Sequence, residues 1–246
     1  MGWFEGKIKM IPISDHIRLR HRPLVIYWLI GIKIAIFLWQ LKLGITGELA
    51  SFINSWGLIP AQISGAITNA IHLNPAAWVV VFWRLPSLFL AMFLHGSISQ
   101  IVGNLIFLWV FGKTLSSVMG ARTVLALYLG GGILTGIAQI ILEPSLTVPL
   151  IGANGAIATI LGAYVSKFPQ GKIDTIMPLL ILYIPMEVPA YSYLLWWFIQ
   201  QLFYGIGSLN MTASDVNSAN FSFWVQLLGL CIGAAVIRYY ESSSKS

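Results

Sequence analysis

The sequence predicts an all-α membrane protein, six transmembrane helices in one bundle with the N and C termini cytoplasmic. Three observations predict it. Of 246 residues, 57% are hydrophobic and only 9% charged, too few charges to cover a water-soluble globule. Apolar runs recur at 24–43, 88–111, 122–142, 150–166, 188–207 and 219–238, near the length of about 20 residues that crosses a hydrocarbon core of about 30 Å. The basic residues also alternate sides. Lys7, Lys9, Arg18, Arg20 and Arg22 precede the first run, Lys113 and Arg122 bracket the second connection, Lys167 and Lys172 the fourth, and Arg238 and Lys245 follow the last, whereas the opposite connections contain only Arg84. Such an asymmetry places both termini inside and requires an even number of crossings.

The +6 formal charge is therefore explained by topology, and the partner it implies is the lipid bilayer, with no nucleic acid. The organisation is a cytoplasmic segment at 1–22, one membrane domain at 23–240 and a cytoplasmic tail at 241–246, in a plasma or inner membrane if the chain is bacterial. The first 22 residues carry no signal-peptide pattern, so the first span is the topological signal. Met10, opening MIPISD, reads as an alternative start. One cysteine, Cys231, excludes an internal disulfide and a cysteine zinc cluster; it is expected as a small packing residue. No metal and no cofactor are expected.

Within that frame several segments depart from plain helix. The connection 44–87 is too apolar for a solvated loop, and is expected to lie half-buried in the outer leaflet with Trp56, Trp78 and Trp83 near headgroup depth. Arg84 would snorkel there to phosphate. Pro178, Pro185, Glu187 and Pro189 interrupt the run after Lys172, which assigns 173–187 to the cytoplasmic interface and starts the fifth span near Val188. Lys33 sits mid-span without a helical partner of opposite charge; it either faces the bundle interior or water, or snorkels. Gly132 and Gly136, and Gly229 and Gly233, recur four apart, so each pair lies on one helix face and permits close backbone approach.

Polar residues gather in FLHGSISQIVGNLIFLWVFG, residues 93–112, which puts His95, Gln100 and Asn104 in the second span. Gln100 and Asn104 share a face, with His95 offset but close. Together with Trp83 and Arg84 upstream, GANGA at 152–156 and WVQLLGLCIG at 224–233, this order resembles the rhomboid intramembrane serine proteases, from MIPISD to the last span. The resemblance implies a six-helix bundle with a water-filled cavity. In active members a serine in a Gly-x-Ser-Gly turn attacks the peptide bond, a histidine on the sixth span is its general base, and an asparagine and a second histidine on span two supply oxyanion donors.

Taken residue by residue, the resemblance implies a retained frame without its reacting groups. In Gly152–Ala153–Asn154–Gly155 the nucleophile position is Asn154, and the base position is Gln226. Gln100 stands for the second histidine; His95 and Asn104 match the pattern; Ser116 replaces a glutamate that usually follows Phe-Gly. Trp83, Arg84, Gly152, Gly155, Gly229 and Gly233 are kept. A carboxamide nitrogen is delocalised into its carbonyl, so it is neither a useful nucleophile nor a base. Asn154 is expected to cap a helix N-terminus and to hydrogen-bond with Gln226 or Gln100. All four histidines lie at or before residue 95, leaving only His95, Lys33 or water as a base.

Three functions remain open from the sequence. The first is a proteolytically inactive rhomboid, like the derlins, that binds transmembrane segments of client proteins. The second is an active protease with an unconventional nucleophile, and the third a channel, transporter subunit or assembly factor. Client identity and oligomeric state are not encoded legibly.

Overall fold

Helix α1 (Leu24–Thr46) follows Pro23, whose fixed φ suits a helix start, and ends at Gly47, φ +80°, whose N–H bonds back to Leu43. The computed structural model in which it lies describes residues 10–72, 74–179, 182–207 and 213–243. Helices α2 (Leu49–Trp56), α3 (Pro60–Ile71), α4 (Ala76–Arg84) and α5 (Ser87–Leu90) come next, and α5 runs into a 3-10 turn at Ala91–Phe93. After an extended break come α6 (Ile98–Phe107), a π-helical turn at Leu108–Gly112 and α7 (Lys113–Met119). The rest is α8 (Ala121–Leu142), α9 (Asn154–Lys167), α10 (Ala190–Gly207) and α11 (Ala213–Ser243).

Four stretches among the described residues are long and apolar enough to cross a bilayer: Leu24–Thr46, Ala76–Phe93, Ile98–Met119 and Ala121–Leu142. The chain is a mostly helical, integral multi-pass membrane protein. Its outer faces carry apolar side chains suited to lipid, Trp28, Ile45 and Phe82 among them. Cys231 is also exposed, so it borders the surroundings instead of packing in the core.

The expected second span, 88–111, is corrected. The run is interrupted by His95-Gly96-Ser97, and the backbone is extended at Leu94 (ψ 148°) and Ser97 (φ −156°, ψ 159°). Ser97 caps the new helix, its hydroxyl accepting from Gln100 N at 3.2 Å, as serine does where first-turn N–H groups lack partners. His95 consequently lies in the break and not on the helix.

The all-α expectation is corrected as well. Strands β1 (Ile11–Asp15), β2 (Lys172–Leu179) and β3 (Leu182–Pro189) form an antiparallel sheet in that order, with Ile11 opposite Ile176 and Asp174 opposite Glu187. Prolines at 178 and 185 deny the segment a helix. Ile173 and Thr175 point inward with period two, the alternation that a strand needs.

The core is built around α9. Its residues 155–165 are all buried, and at 14 residues it is about 21 Å long, a helix held inside the bundle. Small residues make this possible. A Cβ on Gly162 would fall on the backbone of Leu230, one on Gly233 on the carbonyl of Thr159, and one on Gly229 would come within 2.6 Å of Gly155 O. Helices α9 and α11 thus touch backbone to backbone. On the other side Gly131 receives Thr159, and Gly155 receives Thr135, from α9 and α8 in turn.

Candidate functional site

The break at 94–97 exposes backbone groups that no helix satisfies, and α1 satisfies them. Gln40 Nε2 donates to His95 O at 3.2 Å, and its Oε1 accepts from His95 N at 3.0 Å. Seven residues earlier on the same helix face, Lys33 Nζ donates to Met92 O at 2.7 Å, with the Phe93 and Tyr128 rings 5.2 and 5.6 Å away. Lys33 is fully buried; it faces the interior and does not snorkel. Gln40 carried a legible signal in its spacing from Lys33, which the sequence reading passed over.

The imidazole of His95 is closed at both nitrogens. Nδ1 lies 3.1 Å from Phe93 O, and Nε2 lies 3.1 Å from Asn104 Nδ2. A carbonyl oxygen only accepts, so Nδ1 must carry the proton; Nε2 then accepts from the Asn104 amide. Gln100, one turn before Asn104, is occupied elsewhere: Oε1 accepts from Gly96 N at 2.8 Å and Nε2 donates to Ile151 O at 3.2 Å.

Opposite, Gly152 turns the chain at φ +115°, and a Cβ there would strike Gln100 Nε2; glycine is required twice over. Its N–H bonds Ala91 O at 2.9 Å. The chain then enters α9 one residue earlier than expected. Ala153 holds the N-cap position, its carbonyl accepting from Ile157 N at 2.8 Å, and Asn154 is the first helical residue with no capping bond. The expected Asn154 cap is therefore corrected. Nor does Asn154 hydrogen-bond to Gln226 or Gln100: Gln226, buried on α11 one turn before Gly229, has an Oε1 without a partner among the described residues.

A cavity of about 100 Å³ is lined by Asn154, Gly152, Thr135, Gln139, Met92 and Val225, among others. It lies where α8, α9, α11 and the 3-10 turn meet. Trp83 is 78% exposed. Arg84 does not reach outward: its Nη1 donates to Asn54 O at 3.2 Å and Ser55 O at 3.1 Å, capping the end of α2 as a cation does near a helix C-terminus.

Residues 81–242 match the family model of the Rhomboid domain. The chain belongs to the rhomboid family. It is similar to the mouse protein named "Presenilin-associated rhomboid-like protein, mitochondrial", 27% identical over 153 residues, covering 53% of this chain and 40% of that one. It is similar to the human protein of that name, 27% identical over 165 residues, 57% of this chain and 41% of the other. It also resembles "Rhomboid protein 1, mitochondrial" of Saccharomyces cerevisiae, 26% identical over 159 residues, 62% of this chain and 39% of that one. The matched region spans about two fifths of these curated relatives.

In this rhomboid the hydroxyls near the cavity are spent on backbone. Thr135 Oγ1 donates to Gly131 O at 2.8 Å, and Thr159 Oγ1 to Gly155 O at 2.9 Å, the back-bonding usual for threonine inside helices. Ser97 and Ser99 pair with each other at 3.0 Å. Ser116 Oγ is buried without a partner among the described residues. Among the described residues no serine or threonine hydroxyl bonds to Lys33 or to the His95 ring.

A serine, a histidine and an aspartate do meet, but at the sheet. Ser14 donates to Asp174 Oδ2, and His16 Nε2 lies 2.8 Å from Asp174 Oδ1. The carboxylate stands between hydroxyl and imidazole, the reverse of a catalytic order. With Glu187 these groups have ligand atoms within 4.8 Å of one another, a set that could hold a metal ion. The carboxylates are already engaged by Ser14, His16 and, on Glu187, by Lys172 at 3.2 Å.

Proposed function

We propose that this rhomboid has lost proteolysis and binds transmembrane segments of client membrane proteins. The observation that carries the reading is the site itself: carboxamides at 154 and 226, with the one nearby imidazole, His95, closed by Phe93 O and Asn104. Neither carboxamide can form the acyl-enzyme that a serine forms or accept its proton. The Asn104 amide, an oxyanion donor by the family resemblance, gives one of its two N–H groups to His95.

What remains is a cavity inside a membrane protein, where Asn154, Thr135 and Gln139 stand among apolar side chains. Gln226 Oε1 is a buried acceptor without a donor among the described residues, costly to leave so, and a backbone N–H from an unwound client helix would satisfy it. Val225, the residue before Gln226 in the chain, lines the cavity. Six crossings, with both termini on the side of the basic connections, complete this reading, as do the boundaries 23–240 for the membrane domain. The names of the relatives place those proteins in mitochondria, where an inner membrane would accept the same topology.

Photocrosslinking tests the binding. A photoreactive residue at Val225 should capture a co-reconstituted transmembrane peptide that carries a helix-breaking Gly-Pro pair, and capture a uniform leucine helix far less. Equal capture of both would count against client recognition. A fluorophosphonate should leave the unmodified protein unlabelled; covalent labelling mapped to one serine would return the chain to the proteases.

A further inference from the structure

At the end of the bundle where α1 begins and α7 and α9 end, the acidic groups already have partners. Asp15 accepts from Tyr164 OH at 2.8 Å, Asp174 binds Ser14 and His16, Lys172 reaches Glu187 at 3.2 Å and Lys167 reaches Glu241 at 2.7 Å. Among the described residues no carboxylate forms an ion pair with Arg18, Arg20 or Arg22. Two of these arginines line one concavity. Arg18 and Arg20, with Ile17, Leu19, Val118 and Phe168, line a pocket of about 550 Å³, within the range of small-ligand sites.

The pocket is built, not draped. Arg20 N and His21 N both donate to the hydroxyl of Ser117, the latter at 3.0 Å, and Ser117 is fully buried on α7. On the other flank Ile17 and Phe168 pack against the main core. The arginine-bearing segment is therefore pinned to the bundle at both sides of its cations, and little ordering remains for a ligand to impose. Arg18 to Arg20 lie four to six residues before the first spanning helix, and Val118 one residue before the end of the Ile98–Met119 span, which puts the pocket at headgroup level.

We propose that this pocket binds the phosphodiester head group of an anionic phospholipid from the surrounding bilayer. The guanidinium forks of Arg18 and Arg20 take the phosphate oxygens in bidentate fashion, and Leu19, Val118 and Phe168 take the glycerol and first methylenes. The uncompensated positive charge selects a lipid of net negative charge over a zwitterionic one with the same phosphate. This site is separate from the cavity at Asn154 and holds whether or not the protein cleaves peptides.

The test uses the full chain purified in a neutral detergent and titrated with phosphatidylglycerol, phosphatidylcholine, glycerol phosphate or inorganic phosphate, with bound mass read by native mass spectrometry. Phosphatidylglycerol should be retained in preference to phosphatidylcholine. Arg18→Gln with Arg20→Gln should weaken it by roughly tenfold or more, while Arg122→Gln, on the same bundle end but outside the pocket, should not. Arg18→Lys with Arg20→Lys should fall between, since an ammonium lacks the fork. Equal retention of the two lipids by the unmodified protein would overturn the proposal, even if the variants failed to fold. So would an equal loss in Arg122→Gln, or competition by inorganic phosphate as strong as that by the lipid, which would make this a soluble-anion site.

Discussion

The side-chain nitrogen of Lys33 lies 2.7 Å from the carbonyl oxygen of Met92, where the helical backbone stops just before the break at Leu94–Ser97. One cation there holds a freed carbonyl, between two aromatic rings that favour positive charge. Replacing it by a carboxylate would set a negative group against a carbonyl oxygen and two ring faces. Lys33→Glu should cost at least about 3 kcal/mol, as uncompensated buried charges do, and Lys33→Met about 1 kcal/mol for the lost hydrogen bond. Thermal unfolding in detergent should rank them in that order.

Gln40 makes two buried bonds to one peptide, His95 N and O. Gln40→Ala should cost about 2–3 kcal/mol, since both groups would be left dry and unpaired. Hydrogen exchange should also rise at 94–97 before it rises in α6. Uniform exchange across both would show that the break is held by something other than α1.

Glycine substitutions should divide by what a new Cβ meets. At Gly233 it would fall on Thr159 O and at Gly229 within 2.6 Å of Gly155 O, both main chain, whereas at Gly132 it would meet the flexible end of Met92. Gly233→Ala and Gly229→Ala should each cost about 1–3 kcal/mol. Gly132→Ala should cost less than either. Denaturation midpoints of the three variants are the comparison.

Asp174 gives the sheet its pH dependence. The Ser14 hydroxyl, and then His16, hold its carboxyl below the ordinary carboxylate value. A depressed folded pKa contributes stability above the unfolded value and loses it as pH falls through the folded one. The midpoint difference between the unmodified protein and Asp174→Asn should therefore be constant near neutrality and shrink on acidification below the usual carboxylate range. A difference that grew toward acid would contradict this sign.

Much of this was legible in the sequence, for identifiable reasons. Composition and basic asymmetry read as a multi-pass membrane protein because lipid forces long apolar runs. The positions Asn154 and Gln226 were found by motif order, and the structure puts their helices in backbone contact through Gly155 and Gly229. The break before Ser97 left a signal that reading 88–111 as one run obscured: His95-Gly96-Ser97 is polar, and Ser97 with Gln100 three residues on is the pattern of a helix start. Asn154 looked like a cap by residue type, yet Gly152 turns the chain early enough that Ala153 takes that place. The sheet was hidden by reading Pro178 and Pro185 only as helix breakers when Ile173 and Thr175 already alternated.

The central proposal is that the carboxamides of Asn154 and Gln226 leave this frame without its reacting groups, and one reconstituted assay measures it. Proteoliposomes with the unmodified protein, Asn154→Ser, Gln226→His and the double variant would be given a fluorogenic transmembrane substrate of rhomboids. The account predicts no cleavage by the unmodified protein, and cleavage appearing only when hydroxyl and imidazole are installed together. Cleavage by the unmodified protein that a single serine or threonine deletion abolishes would contradict it.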